Sequence, residues 1–345
     1  MSSSAYPFIT VILPLRNEEA HIERTLRQIL SQEYPPDRYE IIVADGRSTD
    51  RTREIVLRLA QEHPQIILLD NPNLLSSSAR NLGFRKGRGD YFLVIDGHCW
   101  IPSARLLQDM SNLFQETGAD VLCRPQPLSA PGLNVFQKAV ALARSSPLGH
   151  ARDSLIYSQF EGYCNPVSSG AAYSRRVLEI IGFVDETFDA CEDVEFNYRI
   201  SKAGLRSYMS PKLTILYYPR ATPLAFLKQM IRYGRGRAKF ARKHPETAGF
   251  GVLAPLFFCT ALIVLCTTPM KIPALMPLTA TVLFLYFTVI GVEGLRLAHS
   301  SGPRLILLTS FALAMIHTGL GIGLAIGFAQ ALRQTITTSC YKATP

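Results

Sequence analysis

The segment FITVILPLRNE at residues 8–18 sets a continuous apolar run directly before a polar turn. Three further apolar runs follow it, and stretches with helical spacing of apolar residues separate them. The runs lie at residues 39–44, 66–69 and 91–95, and the helical stretches at 17–30, 49–60 and 76–84. Strands that alternate with helices at short intervals are typical of a doubly wound, mostly parallel α/β sheet. In such a sheet we expect the ligand at the carboxyl ends of the strands.

Polar residues cluster where these predicted strands end. Arg16, Asn17 and Glu18 follow the first strand, Asp45 follows the second, and Asp96 and His98 follow the fourth. No glycine-rich phosphate-binding motif follows the first strand, so a classical dinucleotide fold and a phosphate-binding NTPase loop both lack their defining element. A charged nucleotide would then need another means of neutralisation, such as a divalent metal held by carboxylate and imidazole.

The triplet Asp96-Gly97-His98 is the candidate metal site. Gly97 permits a tight bend, so the side chains of Asp96 and His98 can project to the same side. One carboxylate and one imidazole suit Mn²⁺ or Mg²⁺, with diphosphate oxygens and water completing the shell. The alternative is a turn-forming Asp beside a surface His, and the position at the end of a strand favours the metal.

The acidic run CEDVE at residues 191–195 is the candidate catalytic motif, and it precedes a predicted helix at 196–201. Glu192 and Asp193 can simply complement the positive end of that helix. The functional alternative is a general base that takes a proton from an acceptor hydroxyl. Neighbouring carboxylates tend to raise one another's pKa and keep such a base competent near neutrality.

Two further segments admit both a functional and a structural interpretation. Arg80 can reach a nucleotide phosphate, or it can be a solvated helix residue. The Ser/Gly loop at residues 165–176, which contains Gly170, suits close approach of a sugar to the backbone, or it is an ordinary turn.

The composition of the chain argues against disorder and against nucleic-acid binding. Of 345 residues, 48% are hydrophobic and 18% charged, a balance that excludes disorder. Residues 1–222 carry 24 Lys and Arg against 25 Asp and Glu, a net charge of −1. Residues 223–250 carry 7 against 1 and residues 251–345 carry 5 against 1, so these two segments together carry +10 and account for the overall net charge of +9. A nucleic-acid binder spreads its basic residues over its folded face, so we expect no nucleic-acid partner.

Three charge-free stretches predict a membrane domain. They cover residues 247–270, 272–292 and 305–332, and as helices they would span about 36, 31 and 42 Å against a hydrocarbon core of about 30 Å. The first contains Pro255 and Pro269, so it is either a full span or a re-entrant piece. A helical hairpin buried in a soluble domain is the alternative. We therefore predict a globular domain at 1–222, a basic interfacial segment at 223–248 and a membrane domain with about three spans at 249–345.

The distribution of basic residues predicts the orientation of the spans. Seven Lys and Arg precede the first span, Arg296 and Arg304 lie between the second and third, and the first loop offers only Lys271. The positive-inside rule then puts the N-terminal domain in the cytoplasm. No secretory signal is expected before residue 8, and seven cysteines without a C-x-x-C pair fit a reducing compartment.

Taken together, these motifs resemble glycosyltransferase family 2, the inverting nucleotide-sugar transferases with an A-type α/β fold. The matching elements are LPLRNE (13–18), ADGRSTD (44–50), ARNLG (79–83), DGH (96–98), GFVDETF (182–188) and CEDVEFNYR (191–199). The resemblance covers residues 7–240, and the order of the six elements is more specific than any one of them. With QMIRYGRGR and a few spans, the tail is similar to that of the succinoglycan-type exopolysaccharide glucosyltransferases.

The resemblance implies roles for individual residues. The residues implied to line the nucleoside and donor pocket are Pro14, Arg16, Glu18, Asp45 and Arg80. Asp96 would hold the metal and the diphosphate, Asp193 would be the catalytic base and Glu192 would lie beside it. His98 stands where many relatives carry the second Asp of D-x-D, and polypeptide-modifying sugar transferases are similar in using D-x-H. Gln229, Arg232 and Tyr233 are similar to the Q-x-x-R-W element that closes over donor and acceptor in polysaccharide synthases.

The implied activity is transfer of one hexose, glucose by subgroup resemblance, from a UDP-sugar to a polyprenyl-diphosphate-linked glycan. We expect this reaction at the cytoplasmic face of the inner membrane, in exopolysaccharide or cell-surface glycan assembly, with membrane lipids as partners and oligomers possible through the membrane helices. One alternative is a sugar synthase that acts on bare polyprenyl phosphate. The other is a silent membrane scaffold that binds nucleotide sugar.

Overall fold

The structure is a computed structural model that describes residues 6–151 and 154–342, with side chains up to residue 333. The chain forms two compact units, and both are discontinuous in sequence. Unit 1 comprises Met1–Pro131 and Asp153–Tyr218, and unit 2 comprises Gly132–Arg152 and Pro219–Pro345. The outer ends of the predicted domains, residues 1–5 and 343–345, lie outside the described residues.

The secondary structure alternates between strands and helices through unit 1 and is helical in unit 2. The strands are β1 (Ile9–Leu15), β2 (Tyr39–Asp45), β3 (Ile66–Asp70), β4 (Tyr91–Val94), β5 (Cys99–Trp100), β6 (Val121–Cys123), β7 (Gly162–Tyr163), β8 (Gly170–Ser174), β9 (Ser207–Met209) and β10 (Leu216–Tyr217). The helices are α1 (Ile22–Leu30), α2 (Thr52–Glu62), α3 (Ser76–Lys86), α4 (Leu106–Thr117), α5 (Val135–Ser145), α6 (Arg175–Ile181), α7 (Glu192–Lys202), α8 (Pro223–Lys243), α9 (Phe250–Lys271), α10 (Met276–Ala298) and α11 (Pro303–Lys342).

The central sheet of unit 1 has eight strands in the order β3-β2-β1-β4-β8-β6-β9-β7. Strands β3, β2, β1 and β4 are parallel, β8 is antiparallel to both β4 and β6, and β6 and β9 are parallel. Six of the eight strands therefore share one direction, since β7 is antiparallel to β9. This mixed but mostly parallel sheet confirms the predicted fold class. The antiparallel direction of β8 puts its first residue, Gly170, at the edge where its neighbours end.

The strand sequences are continuously apolar because helices cover both faces of the sheet. Side chains of successive residues point to opposite faces. Val11 and Leu13 accordingly belong to one buried cluster, while Ile12 belongs to a second cluster with Phe84 and Phe92. Each face thus has its own core, as a doubly wound arrangement requires.

Helix α1 begins five residues later than the spacing of apolar residues predicts. Asn17 has φ = 55°, in the left-handed region, so the chain turns there and the helix starts only at Ile22. In the same way, α2 starts at Thr52 rather than at residue 49, after a left-handed Arg47 with φ = 52°. Asn tolerates this conformation better than most residues, and the two turns leave polar loops at the carboxyl ends of β1 and β2.

Unit 2 is a helical body in which α11 contacts α5, α8, α9 and α10. Gly319, Gly323 and Gly327 of α11 face α8 so closely that a Cβ on Gly323 would lie 2.8 Å from the Cα of Gly234. Small residues at this spacing let two helix backbones approach each other. The helix α8, predicted to be interfacial, therefore packs along its length on the long apolar helix α11.

Three helices of unit 2 are long and apolar enough to cross a membrane. They cover Phe250–Lys271, Pro273–Ser301 and Pro303–Arg333. The first runs through both Pro255 and Pro269 as one helix of 22 residues, which is long enough to cross a membrane. That it crosses as a full span stays a prediction.

Residues 132–152 interrupt unit 1 in sequence and pack with the helices of unit 2. Ser146 Oγ donates to Glu293 Oε1 at 2.5 Å, and His317 Nε2 donates to the Leu148 carbonyl at 2.8 Å. Gln137 Nε2 donates to the Pro219 carbonyl at 2.8 Å. Helix α5 therefore belongs to unit 2, although the sequence analysis assigned it to the globular domain.

Candidate active site

The loops after β1 and β2 bind each other through side chain–backbone hydrogen bonds. The backbone N–H of Thr49 donates to Asn17 Oδ1 at 2.8 Å, and the N–H of Asn17 donates to Ser48 Oγ at 2.9 Å. Ser48 Oγ in turn donates to Asp45 Oδ1 at 2.6 Å. This hydrogen-bond network fixes the loops after β1 and β2 against each other, and together they form one wall of the candidate site.

The predicted donor-pocket residues on this wall differ in exposure. Pro14 is half-buried opposite Ala44, and Arg16 is exposed. The carboxylate of Asp45 is only 1% exposed, since Ser48 and the Arg53 guanidinium, at 3.4 Å, occupy its oxygens. The implied contact between Asp45 and uracil therefore stays a prediction.

The turn Asp96-Gly97-His98 follows β4 and packs against the β1 loop. His98 Nδ1 lies 2.7 Å from Glu18 Oε1, and the His98 ring meets the Tyr217 ring edge-on at 4.5 Å between centroids. His98 Nε2 is buried and has no hydrogen-bond partner among the described residues. The imidazole is thus held from one nitrogen, and its second nitrogen remains available for a ligand.

A divalent cation is compatible with this turn. Among the described residues there is no cluster of three or more His, Cys, Asp and Glu that could hold a metal without other ligands. The half-buried Asp96 and the unpartnered Nε2 of His98 would therefore supply two ligands, and donor phosphate oxygens and water would supply the rest. Oxygen and imidazole donors of this kind suit Mn²⁺ or Mg²⁺.

Helix α7 brings the acidic motif to the same region. It begins directly after the left-handed Cys191, so Glu192 and Asp193 lie in its first turn. Glu192 Oε1 lies 3.6 Å from Arg80 Nε of α3, and both side chains are about nine-tenths buried. An ion pair this deeply buried fixes the start of α7 against α3. Arg80 is therefore not the solvated helix residue of the alternative interpretation.

The charges of four predicted site residues act on one another. Burial opposes the charge of the Arg80 guanidinium, but nearby carboxylates outweigh it and the net shift of its pKa is upward. These carboxylates belong to Glu192, Asp193 and Asp96. Burial raises the pKa of Glu192, Arg80 opposes that shift and Asp193 adds to it. The structure therefore brings Arg80, Asp96, Glu192 and Asp193 within electrostatic range.

Gly170 packs against the helix that carries Asp193. Asn197, one turn beyond Asp193 in α7, donates through Nδ2 to the Gly170 carbonyl at 3.1 Å, and the Tyr173 hydroxyl donates to the same carbonyl at 3.0 Å. A Cβ on Gly170 would lie 2.7 Å from Asn197 Oδ1. The glycine thus allows α7 to approach β8, a role that the sequence analysis did not assign to it.

Arg124, directly after β6, is a site residue that sequence reasoning missed. Its side chain is buried, and Nη1 donates to the carbonyl of Val94 at 3.0 Å, two residues before Asp96. Burial lowers the pKa of Arg124, and the charge of Asp96 opposes that shift. One basic residue after a short apolar run gave no signal in the sequence.

Gln229, Arg232 and Tyr233 lie on α8 in unit 2. Gln229 Nε2 donates to the Tyr233 hydroxyl at 3.2 Å, one helical turn apart, and Arg232 is exposed. Their implied closing role over the donor and acceptor stays a prediction.

Comparisons with known proteins agree with this fold. The family described as Glycosyl transferase family 2 matches residues 10–181. The chain is 36% identical over 251 residues to the succinoglycan biosynthesis protein ExoA of Rhizobium meliloti (strain 1021), which covers 71% of this chain and 74% of that protein. It is 26% identical over 324 residues to the dolichyl N-acetyl-alpha-D-glucosaminyl phosphate 3-beta-D-2,3-diacetamido-2,3-dideoxy-beta-D-glucuronosyltransferase of Methanococcus voltae, over 92% of this chain and 95% of that protein.

A solved structure shares the fold. The mannosyltransferase PcManGT from Pyrobaculum calidifontis, in complex with GDP-Man and Mn²⁺, is similar with a TM-score of 0.57 and 19% identity, over 94% of this chain and 88% of that one. The family match and the shared fold together define a glycosyltransferase with an A-type α/β fold. The 36% identity to a relative of which the chain covers 74% makes the assignment specific: the chain belongs to glycosyltransferase family 2.

Proposed function

We propose that the protein is an inverting hexosyltransferase that moves one sugar, glucose by subgroup resemblance, from a UDP-sugar to a lipid-linked glycan. The observation that carries the proposal is that Arg80 Nε lies 3.6 Å from Glu192 Oε1 and that the Arg80 guanidinium is within electrostatic range of Asp96 and Asp193. The similarity to a succinoglycan biosynthesis protein and to a transferase named for a dolichyl-phosphate-linked sugar supports a lipid-linked acceptor in exopolysaccharide or cell-surface glycan assembly.

In this proposal Asp193 is the general base. Its carboxylate takes the proton of the acceptor hydroxyl, and the resulting oxygen attacks the anomeric carbon of the donor. The bond between that carbon and the diphosphate breaks, and UDP leaves with the electron pair. Because the attack comes from the face opposite the diphosphate, the configuration at the anomeric carbon is inverted. Such general-base assistance contributes about 10²–10⁴-fold to the rate.

Positive charge from Arg80 and from a cation at Asp96 and His98 would stabilise the departing diphosphate. Arg80 is held by Glu192 and lies within range of Asp96, so its guanidinium is suited to bind donor phosphate oxygens. Asp96 and His98 would hold Mn²⁺ or Mg²⁺, which when bound supplies positive charge to the leaving group. Pro14, Arg16 and Asp45 would line the nucleoside pocket, and Gln229, Arg232 and Tyr233 would close over donor and acceptor.

We further propose that the reaction takes place at the cytoplasmic face of the inner membrane. The basic residues before α9, with Arg296 in the last turn of α10 and Arg304 in the first turn of α11, support this orientation through the positive-inside rule. In this arrangement the domain at 1–222 and the basic segment at 223–248 precede a membrane domain at 249–345. A reporter fused after residue 345 should be active outside the cytoplasm, and cytoplasmic activity would contradict the orientation.

The test uses the full chain in lipid nanodiscs with Mn²⁺ or Mg²⁺, a panel of radiolabelled UDP- and GDP-sugars, and either a polyprenyl-diphosphate-linked oligosaccharide or polyprenyl phosphate. We expect label in the oligosaccharide lipid from one UDP-hexose. Asp193→Asn should lower turnover at least 10²-fold and leave UDP binding unchanged. The exposed Asp189, four residues earlier, gives the matched control Asp189→Asn, which should retain activity.

The alternatives give different results in the same assay. Label in polyprenyl phosphate, with little effect of Asp193→Asn, would indicate a polyprenyl-phosphate sugar synthase, because its nucleophile is already an anion. UDP binding without release of UDP from any donor would indicate a scaffold. Wild-type turnover of Asp193→Asn on the oligosaccharide lipid would remove the base from the proposed reaction.

A further inference from the structure

We propose that Glu18 is a positioning residue that orients His98 for a divalent cation, rather than a nucleoside contact. This inference rests on the proposed function, because it concerns the cation held at Asp96 and His98. Glu18 Oε1 lies 2.7 Å from His98 Nδ1, and the two side chains are 13% and 11% exposed. A contact this short between two mostly buried side chains holds the imidazole ring in one orientation.

The surroundings of the pair leave Glu18 little freedom. Its backbone N–H donates to Thr52 Oγ1 at 2.7 Å, which ties the residue to the start of α2. A Cβ on Gly97 would lie 2.9 Å from Glu18 Cγ and 2.6 Å from Leu15 Cδ2. Only a glycine at position 97 therefore lets the Glu18 side chain pack this closely against the turn. The Gly97 carbonyl is itself fixed by Thr25 Oγ1 at 2.7 Å.

The contact also determines which nitrogen of His98 carries the proton. An ionised carboxylate only accepts hydrogen bonds, so the Nδ1–H of His98 donates to Glu18. The neutral imidazole then presents its lone pair on Nε2, the buried atom without a partner among the residues that the structure describes. A carboxylate behind a histidine in this way fixes the tautomer and the orientation of the ring.

The experiment measures Mn²⁺ binding to the full chain in detergent, with saturating UDP present, by electron paramagnetic resonance, and UDP binding in EDTA by calorimetry. Glu18→Ala should weaken Mn²⁺ binding by about 10–100-fold, the usual effect of losing such a partner. Glu18→Gln keeps an oxygen that accepts from Nδ1–H, so it should restore most of that affinity. Glu19→Ala is the matched control, since Glu19 is exposed and accepts from the Arg51 N–H instead. UDP binding in EDTA should be the same in all four proteins.

Two results would overturn the inference, and they are distinguishable. Wild-type Mn²⁺ affinity of Glu18→Ala, with UDP binding in EDTA weakened, would make Glu18 a nucleoside contact and leave the proposed function intact. Mn²⁺ binding that is undetectable in the wild type, or unchanged in His98→Ala, would overturn both the metal site and this inference. Thermal unfolding of each variant separates a local change from a loss of the fold.

Discussion

The contact between α8 and α11 predicts that a single methyl group at Gly323 destabilises unit 2. The added Cβ of Gly323→Ala would lie 2.8 Å from the Cα of Gly234 and closer still to the Ile231 carbonyl oxygen, whereas ordinary van der Waals contact begins at 3.4 Å. The helices must therefore separate by at least 3.4 − 2.8 = 0.6 Å at this point. Both atoms belong to backbone, which cannot rotate away. Overpacking of this kind costs about 1–3 kcal/mol, which lowers Tm by roughly 2–4 °C per kcal/mol in a body of 150–250 residues.

The assay is thermal unfolding in detergent, followed by the far-ultraviolet circular dichroism of the helices, with Gly291→Ala in α10 as the control. No atom of the described residues lies within 4 Å of a Cβ on Gly291, so that substitution should leave Tm unchanged or raise it. Gly323→Leu should destabilise more than Gly323→Ala because its side chain is larger. Equal Tm values for Gly323→Ala and Gly291→Ala would refute the close packing of the two helices.

Three further predictions concern the candidate site and pH. Arg80→Met removes the cation that opposes the upward pKa shift of Glu192, so the acidic limb of the kcat–pH profile should move to higher pH; an unmoved limb would contradict their coupling. Gly170→Ala should cost about 1–3 kcal/mol and lower kcat more than UDP affinity, because Asn197 must move with α7; unchanged thermal unfolding would argue against that contact. Burial and two neighbouring arginines lower the pKa of His150 to about 3, so the unfolded chain binds the extra proton between that pH and 6.5. Stability should therefore fall by about 1 kcal/mol from pH 7.5 to 5.5, and His150→Gln should remove most of that fall in a denaturation series at both pH values.

The sheet and its functional edge were predictable from the sequence because their signals are local. A strand covered on both faces is apolar throughout, and residues such as Asp96 that follow a parallel strand necessarily reach the edge where the other parallel strands end. The three described helices that are long and apolar enough to cross a membrane were predictable for the same reason, since the absence of charge over 21–28 residues is a property of the segment itself.

The remaining features depend on contacts between distant parts of the chain. Glu18 and His98 are 80 residues apart, and nothing near either residue indicates the other. Arg124 is distinguished only by its reach to the carbonyl of Val94. Helix α5 has an amphipathic pattern, but that pattern does not tell whether its apolar face meets the sheet or the membrane helices.

The membership of α5 in unit 2 has a consequence for synthesis of the protein. Phe136, Val140 and Ala143 pack in one cluster with residues of α8 and α11. The ribosome completes α5 at residue 145, and α11 begins only at residue 303, which is 303 − 145 = 158 residues later. At ~5–20 residues per second this interval lasts roughly 8–32 s. During that time α11 is not yet present to shield the apolar face of α5 from water. A fragment that ends at residue 222 would keep that face exposed to water permanently, so a soluble version of unit 1 requires removal of residues 132–152 as well as the C-terminal helices.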